Sequence, residues 1–294
     1  MSNLRELVET PLPNERASYV LRLVAFGKAL LAADGNHSSL DTFRRLVMGH
    51  ERGFMERLGA ELTQRRRDLT PEQVAFLLVL EQEPDLLGPL SAERFEPHHT
   101  RLVAYFLTPH RQPHISAGLF LAFYALLVLK ARADGKYQLP TLQPEEARRF
   151  KGAIAERNLG SSGRVDIWID LPRVLILVEA KIDAPERDSQ LPDYGTAMRE
   201  HAGLRPSQLV FLTALDGQAP STDTAVHLTF LDLLKCWLPV AAAGTSPDHQ
   251  YLRQYIKTIA QHLCRLADRG PFDSWRIGTR HRALRLIEEL EHDY

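Results

Sequence analysis

Three charged residues lie within two stretches of the chain that are otherwise apolar. Asp166 belongs to residues 163–169, and Glu179 and Lys181 belong to residues 177–181. Burying a lone carboxylate or ammonium group costs several kcal/mol unless the group is paired or bound to a metal. Because Glu179 and Lys181 are two residues apart, both side chains project from one face if this stretch is a strand.

Two carboxylates and one ammonium are groups that hydrolysis of a phosphodiester requires. Carboxylate oxygens hold Mg²⁺, a hard cation, and the bound metal polarises the phosphate and lowers the pKa of a bound water. A nearby lysine orients or deprotonates the water, or neutralises the developing charge. The alternative is a buried salt bridge of Lys181 with Glu179 or Asp166 and no chemistry. An isolated Glu-x-Lys favours that alternative, whereas Asp166 on a preceding strand favours the catalytic interpretation.

The elements that must position these residues are strands. Residues 165–169 and 174–182 are rich in β-branched residues or alternate between apolar and polar residues. The short turn 170–173 between them predicts an antiparallel hairpin. That hairpin places Asp166 opposite residues 177–179. The apolar runs 208–214 and 225–228 predict a third and a fourth strand.

Helical patterns lie on both sides of the strands. Thr70, Pro71 and Gln73 are typical of a helix start with a capping box. The predicted helices cover residues 17–33, 40–62, 70–80, 100–107, 115–133, 143–157, 187–201, 230–240, 249–267 and the end of 269–294. This order predicts an α/β fold with one central mixed sheet flanked by helices.

The three motifs together resemble the PD-(D/E)XK nuclease superfamily, whose core is that of type II restriction endonucleases. The closer resemblance is to a bacterial family with a Gly-Arg-x-Asp strand, a Glu-x-Lys strand and a Gln-Leu-x-x-Tyr helix. Here these motifs are residues 163–166, 179–181 and 190–194. The chain departs from the family at Ala180, where a polar residue is common, and at Pro192 within the third motif.

The resemblance covers roughly residues 91–265 and implies a restriction-endonuclease-like core. Residues 209–213 resemble its third strand, and residues 96–114 resemble its N-terminal helix. We therefore expect an N-terminal helical region at 1–90, a nuclease-like core at 91–270 and a C-terminal helix at 271–294. The first region matches no family and is expected to serve regulation or dimerisation.

The resemblance also implies roles for individual residues. Asp166 and Glu179 correspond to the metal ligands, with the backbone carbonyl of Ala180 as a third, and Glu96 corresponds to a helix-borne acid that assists them. Lys181 corresponds to the lysine that positions water. Gln190 corresponds to a further polar residue of the active site. Tyr194, one helical turn later, is interpreted equally well as a core residue or as a support for the site.

Basic residues in front of the Asp166 strand are candidates for phosphate contact. From residue 148 to residue 164 the chain has five Lys or Arg and one Glu. Contacts between cations and phosphates supply salt-dependent affinity that is independent of sequence. The expected nucleic-acid-binding residues are Arg148, Arg149, Lys151, Arg157 and Arg164.

Composition limits the class of protein. The 294 residues are 44% hydrophobic and 25% charged, which is typical of a globular protein and excludes collagen, a disordered tail and a small disulfide scaffold. A net charge of −1 excludes a protein coated in positive charge. Two cysteines and the absence of a signal-peptide pattern favour a cytoplasmic protein. The apolar run at 119–129 is too short for the roughly 20 residues of a membrane span and predicts a buried helix.

The sequence therefore predicts a nuclease that cleaves DNA with Mg²⁺, for which Mn²⁺ substitutes, within a defence or DNA-processing system. RNA remains an alternative substrate, and a homodimer is an alternative assembly. The rival hypothesis is a catalytically degenerate nuclease fold that binds nucleic acid or protein without cleavage.

Two histidines, His110 and His114, have the spacing of zinc ligands, but nearby prolines favour a surface loop.

Overall fold

The computed structural model describes residues 37–108, 115–135, 139–215 and 217–290. The helix predicted at 17–33 and the histidines 110 and 114 lie outside these ranges. The α-helices are α1 (His37–Arg67), α2 (Pro71–Gln82), α3 (Glu96–Phe106), α4 (Ser116–Ala133), α5 (Pro144–Arg149), α6 (Gln190–Ala202), α7 (Phe230–Ala242), α8 (Pro247–Thr258) and α9 (Ile277–Leu290). The strands are β1 (Ala153–Asn158), β2 (Arg164–Asp170), β3 (Leu175–Lys181), β4 (Ser207–Thr213) and β5 (Ala225–Thr229).

The five strands form one mixed sheet in the order β1-β2-β3-β4-β5. The pairs β1/β2 and β2/β3 are antiparallel, and the pairs β3/β4 and β4/β5 are parallel. The predicted hairpin is confirmed, since Ile167 pairs with Val178 and Asp170 with Leu175. This register places Asp166 across from Glu179. The prediction of an α/β fold with one central mixed sheet flanked by helices is confirmed.

The prediction that the helix starting at residue 143 runs to Arg157 is wrong. The helix ends at Arg149, and residues 153–158 form the edge strand β1. Gly152 between them has φ +124°, a conformation that disfavours any residue with a Cβ. A Cβ there would lie 2.6 Å from the Thr108 side chain, whose Oγ1 accepts a hydrogen bond from the Ala153 amide. The tight contact turns the chain out of the helix and into the sheet.

The sheet separates two apolar clusters of unequal size. The larger contains the even-numbered side chains of β3, such as Ile176 and Val178, and the helices α2, α3, α4, α7, α8 and α9. The smaller lies on the other face, where Leu175 and Leu177 pack with Leu191 and Tyr194 of α6. Glu179 and Lys181 continue the odd-numbered series of β3. Their side chains therefore lie on the face of the sheet that α6 covers.

The described part of the N-terminal region packs into the larger cluster. Leu62 of α1 and Phe76 of α2 are buried there, as is Leu290 near the end of α9. The capping box of α2 is confirmed, with the Thr70 side chain accepting from the Gln73 amide. One hydrophobic core therefore includes residues from all three of the predicted regions.

One face of the long apolar helix α4 packs into the hydrophobic core. It is long and apolar enough to cross a membrane by length and composition alone. Its Leu119, Phe120 and Leu127 side chains are fully buried among the neighbouring helices, as the sequence predicts. Neither Cys236 nor Cys264 forms a disulfide bond, and Cys264 is buried.

Candidate active site

Asp166 and Glu179 lie side by side at one end of the β2–β3 hairpin. The Ala180 amide donates a hydrogen bond of 2.8 Å to Asp166 Oδ2, which fixes that carboxylate against β3. The Glu179 side chain is almost completely buried, with 1% of the residue exposed. Placing two carboxylates together in a region of low dielectric is costly, since their charges repel and lose hydration.

The pKa values of both acids reflect that cost. Burial, and then the charge of Asp166, raise the pKa of Glu179 to about 8. Burial also raises the pKa of Asp166, although the Ala180 amide and Lys181 oppose the shift. Buried carboxylates with raised pKa values are typical of functional sites.

Lys181 connects the acids to helix α3. Its Nζ donates to Glu179 Oε1 at 2.6 Å, to the carbonyl of Ala180 at 3.0 Å and to Glu96 Oε1 at 3.2 Å. The other Glu96 oxygen accepts from the Ile182 amide at 3.2 Å. Burial alone would lower the pKa of Lys181, but the charges of Glu179, Glu96 and Asp166 raise it, so the side chain is an ammonium in this arrangement.

The helix α6 supplies an amide and a phenol to the same cluster. Gln190 Nε2 donates to Glu179 Oε1 at 2.6 Å and lies 3.1 Å from the Tyr194 hydroxyl. That hydroxyl donates to the carbonyl of Arg164 at 2.6 Å, at the start of β2. Tyr194 is therefore both a buried core residue and a connection between α6 and the strand that carries Asp166.

The donor set fits a hard divalent cation. Glu179 Oε2 is buried and has no hydrogen-bond partner among the described residues, so a carboxylate oxygen is left for another ligand. Asp166 and the carbonyl of Ala180 are further oxygen donors of the kind that Mg²⁺ and Mn²⁺ accept. Within the described ranges no group of three His, Cys, Asp or Glu is spaced to hold a metal. Glu96 is engaged with Lys181, and its expected role as an additional metal ligand stays a prediction.

The structure does not bring most of the predicted basic residues to Asp166. Ala153 pairs with Ile169, so Lys151 lies at the opposite end of β2, about 10–15 Å from Asp166 along the strand. Arg148 and Arg149 end α5, which contacts the turn at that same end through Glu146 and Arg173. The side chains of Arg148 and Arg149 lie outside the described part of the structure.

Arg157 and Arg164 have different environments. The Arg157 guanidinium lies over the Trp168 ring, 4.2 Å from its centroid, which is a packing contact. Arg164 lies two residues before Asp166, and its guanidinium pairs with Glu156 at 3.3 Å. Glu156 also accepts from Arg101 of α3. Sequence reasoning missed both Arg101 and Glu156, because Glu156 belongs to the unpredicted strand β1.

The histidine next to the site is a core residue. His99 is fully buried, with Nδ1 at 3.2 Å from the Tyr255 hydroxyl and Nε2 at 2.9 Å from the carbonyl of Glu93. Burial lowers the pKa of His99 to about 4, so the ring is neutral near pH 7. Its role is therefore to connect α3 with α8.

Comparisons with known proteins agree with this geometry. A family model described as the PD-(D/E)XK nuclease superfamily matches residues 85–271, more than half of the chain. No curated protein and no solved structure matches the chain.

Proposed function

The chain belongs to the PD-(D/E)XK nuclease superfamily, and from that premise we propose that it hydrolyses DNA phosphodiester bonds with Mg²⁺. The observation that carries the proposal is the junction of Asp166, Glu179 and Lys181 at one end of the sheet, with Glu179 Oε2 buried and without a hydrogen-bond partner among the described residues. A buried oxygen of this kind costs free energy unless a ligand takes it up.

We assign a different role in hydrolysis to each residue of the site. Asp166, Glu179 and the carbonyl of Ala180 would hold the cation, which when bound polarises the phosphate and lowers the pKa of a water. The Lys181 ammonium contacts two of these proposed ligands, Glu179 and the carbonyl of Ala180, so its proposed role is to orient the attacking water beside the cation and to neutralise charge on the phosphate. Gln190 donates to the same Glu179 oxygen as Lys181 does.

Glu96 is proposed to position Lys181 and to assist metal binding. Its two oxygens contact different groups, Lys181 Nζ and the Ile182 amide, so it connects the start of α3 to the end of β3. We propose further that the protein acts in the cytoplasm, as a monomer or a homodimer, in a defence or DNA-processing system.

The test is cleavage of plasmid and linear DNA with Mg²⁺ or Mn²⁺, comparing the wild type with Lys181→Ala. We expect the variant to lose at least about 100-fold in rate, since a general acid–base or charge-stabilising group contributes about that much. Lys235→Ala is a matched control, because Lys235 also pairs with a glutamate, Glu289 at 3.0 Å, on the distant helices α7 and α9. Cleavage by Lys181→Ala at the wild-type rate would refute the assignment of this site.

A second experiment separates the rival function, binding without cleavage. Lys181 is hydrogen-bonded to Glu179, Glu96 and Ala180, as it would be in a purely structural salt bridge. Calorimetric titration with Mn²⁺ distinguishes the two, since a degenerate core would take up no metal at Asp166 and Glu179. Metal uptake that Asp166→Asn abolishes supports the nuclease.

A further inference from the structure

One carboxylate holds two arginines beside the active site. Arg101 of α3 donates from Nε and Nη2 to Glu156 Oε2, at 3.1 and 2.6 Å. Arg164 of β2 pairs with the other oxygen, Oε1, at 3.3 Å. Glu156 thus carries one negative charge against two positive charges, and the group has a net charge of +1.

The position of this group relative to the acids follows from the sheet register. Ala155 pairs with Ile167 and Arg157 with Val165, so Glu156 lies across from Asp166. Glu156 also has φ +56°, a left-handed conformation that is unfavourable for a residue with a Cβ. Strained backbone of this kind persists where the surrounding structure enforces it, and it concentrates at functional sites.

Arg164 is fixed at both of its ends. Its carbonyl accepts the 2.6 Å hydrogen bond from Tyr194, and its guanidinium contacts Glu156. Even so, the Arg164 and Arg101 side chains are 63% and 56% exposed. Two guanidinium groups are therefore held in place while most of their surface faces solvent. Fixed, exposed guanidinium groups are suited to phosphate because they form charge-assisted, bidentate hydrogen bonds.

A third arginine approaches from the side of α6. The backbone amide of Arg187 donates to Gln190 Oε1 at 3.2 Å, and its Nη2 lies 3.7 Å from the point where a Cβ on Gly163 would be. Arg187 therefore lies against the residue that precedes Arg164. Like the first two arginines, it is exposed.

We propose that Arg101, Arg164 and Arg187 form an arginine clamp that binds the backbone phosphates of the nucleic acid next to the scissile bond. The proposal rests on the nuclease function proposed above. The site itself presents three carboxyl groups, Asp166, Glu179 and Glu96, and one ammonium, Lys181, so an anionic substrate gains affinity from positive charge close by. The clamp supplies it at the end of β2 that carries Asp166, whereas Lys151 lies at the other end.

The test measures binding apart from cleavage. The full chain with Asp166→Asn, which removes a metal ligand, is titrated into a fluorescein-labelled DNA duplex of 20 base pairs, and fluorescence anisotropy is read from 25 to 200 mM KCl. We expect Arg101→Gln, Arg164→Gln and Arg187→Gln each to weaken binding about tenfold at 50 mM KCl, since a hydrogen bond to a charged group contributes about that much. Each should also reduce the slope of log K against log [KCl] by about 0.9.

Arg173→Gln is the matched control. Arg173 is 55% exposed and pairs with a single glutamate, Glu146 at 3.5 Å, but it lies in the turn at the other end of the β2–β3 hairpin. Arg173→Gln, made in the Asp166→Asn protein, should bind DNA with the same affinity and the same salt dependence as Asp166→Asn alone. Circular dichroism verifies that each variant is folded.

The outcomes separate the clamp from the nuclease. Clamp variants that match Arg173→Gln in affinity and slope would overturn the clamp, and so would a parent protein that does not bind DNA, whatever the cleavage assay shows. Loss of binding in the clamp variants supports the clamp even if the wild type cleaves nothing, a result that would refute only the proposed activity.

Discussion

At the residue scale, Glu179 is the least favourable side chain of the site for folding. It is buried beside Asp166, and one of its oxygens lacks a partner among the described residues. Its pKa is about 8 in the folded protein against an ordinary value of 4.5. Because the folded state binds the proton more tightly than the unfolded state does, this carboxylate reduces stability as the pH rises between these values.

Replacing this carboxylate should therefore stabilise the metal-free protein. Glu179→Gln keeps an oxygen for Lys181 and Gln190 and removes the charge. Below pH 4.5 the wild type and the variant should unfold with similar free energies. From pH 4.5 to 8 the wild type should lose stability relative to the variant, by at most about 1.4 kcal/mol per pH unit. Urea denaturation with a chelator present measures both curves.

Mg²⁺ should reverse that difference. Binding to the folded state raises the free energy of unfolding of the wild type, whereas Glu179→Gln lacks the ligand and should gain nothing. Parallel pH curves in the chelated proteins, or equal stabilisation by Mg²⁺, would contradict the assignment of Glu179.

The residue types and spacing predicted the acids, the lysine and Arg164, but not Arg101 or Arg187 of the arginine clamp. Asp166, Glu179 and Lys181 stand out because charged residues within apolar strands need a partner or a role. Arg101 lies 55 positions before Glu156, and their contact depends on how α3 packs across β1. An exposed arginine on a helix has no local signal that separates it from an ordinary surface residue.

At the element scale, local patterns predicted the strands that have strong alternation or continuous apolar runs. β2, β3, β4 and β5 are of this kind. β1 was mistaken for helix because its sequence, AIAERN, contains good helix formers and follows a true helix start at Gln143. Pairing with β2 and the tight contact at Gly152 override that preference. Lys151 is close to Asp166 in sequence, but β1 places it at the other end of β2.

Helix α6 is expected to hold the start of β2 in place through one hydroxyl. Tyr194→Phe removes the hydrogen bond to the carbonyl of Arg164 and should cost about 1–2 kcal/mol of stability. It should also reduce kcat by about tenfold or more, because Asp166 lies two residues further along the strand and catalysis depends on its position. Thermal unfolding and steady-state cleavage measure the two effects.

The chain offers a matched control for this prediction. The Tyr124 hydroxyl donates to the carbonyl of Pro140, also at 2.6 Å, far from the active site. Tyr124→Phe should lose similar stability with an unchanged kcat. If the two variants lose activity equally, the effect of Tyr194 is on overall stability and not on the site.

At the scale of the whole molecule, the distribution of positive charge explains how a chain of net charge −1 can bind a polyanion. Arg65 of α1 pairs with Glu288 of α9, and Arg66 pairs with Glu81 and Asp273. Arg280 is buried and also contacts Asp273. These arginines lie on α1 and α9, and their ion pairs stabilise the packing of the helices. Much of the positive charge is thus neutralised internally, and the clamp remains at the active site.

The salt dependence of DNA binding should therefore be that of a few phosphate contacts. Three arginines predict a slope of log K against log [salt] of about −2.7, which corresponds to a loss of affinity of about 40-fold between 50 and 200 mM KCl. If the basic residues at the other end of β2 also contacted DNA, the slope would approach about −5. Arg65→Gln changes the net charge by the same amount as a clamp variant, yet its slope should equal that of Asp166→Asn alone, because Arg65 lies in the contact between α1 and α9 and not beside Asp166. A flat titration, or one that Arg65→Gln alters as much as Arg164→Gln does, would show that overall charge and not the clamp governs binding.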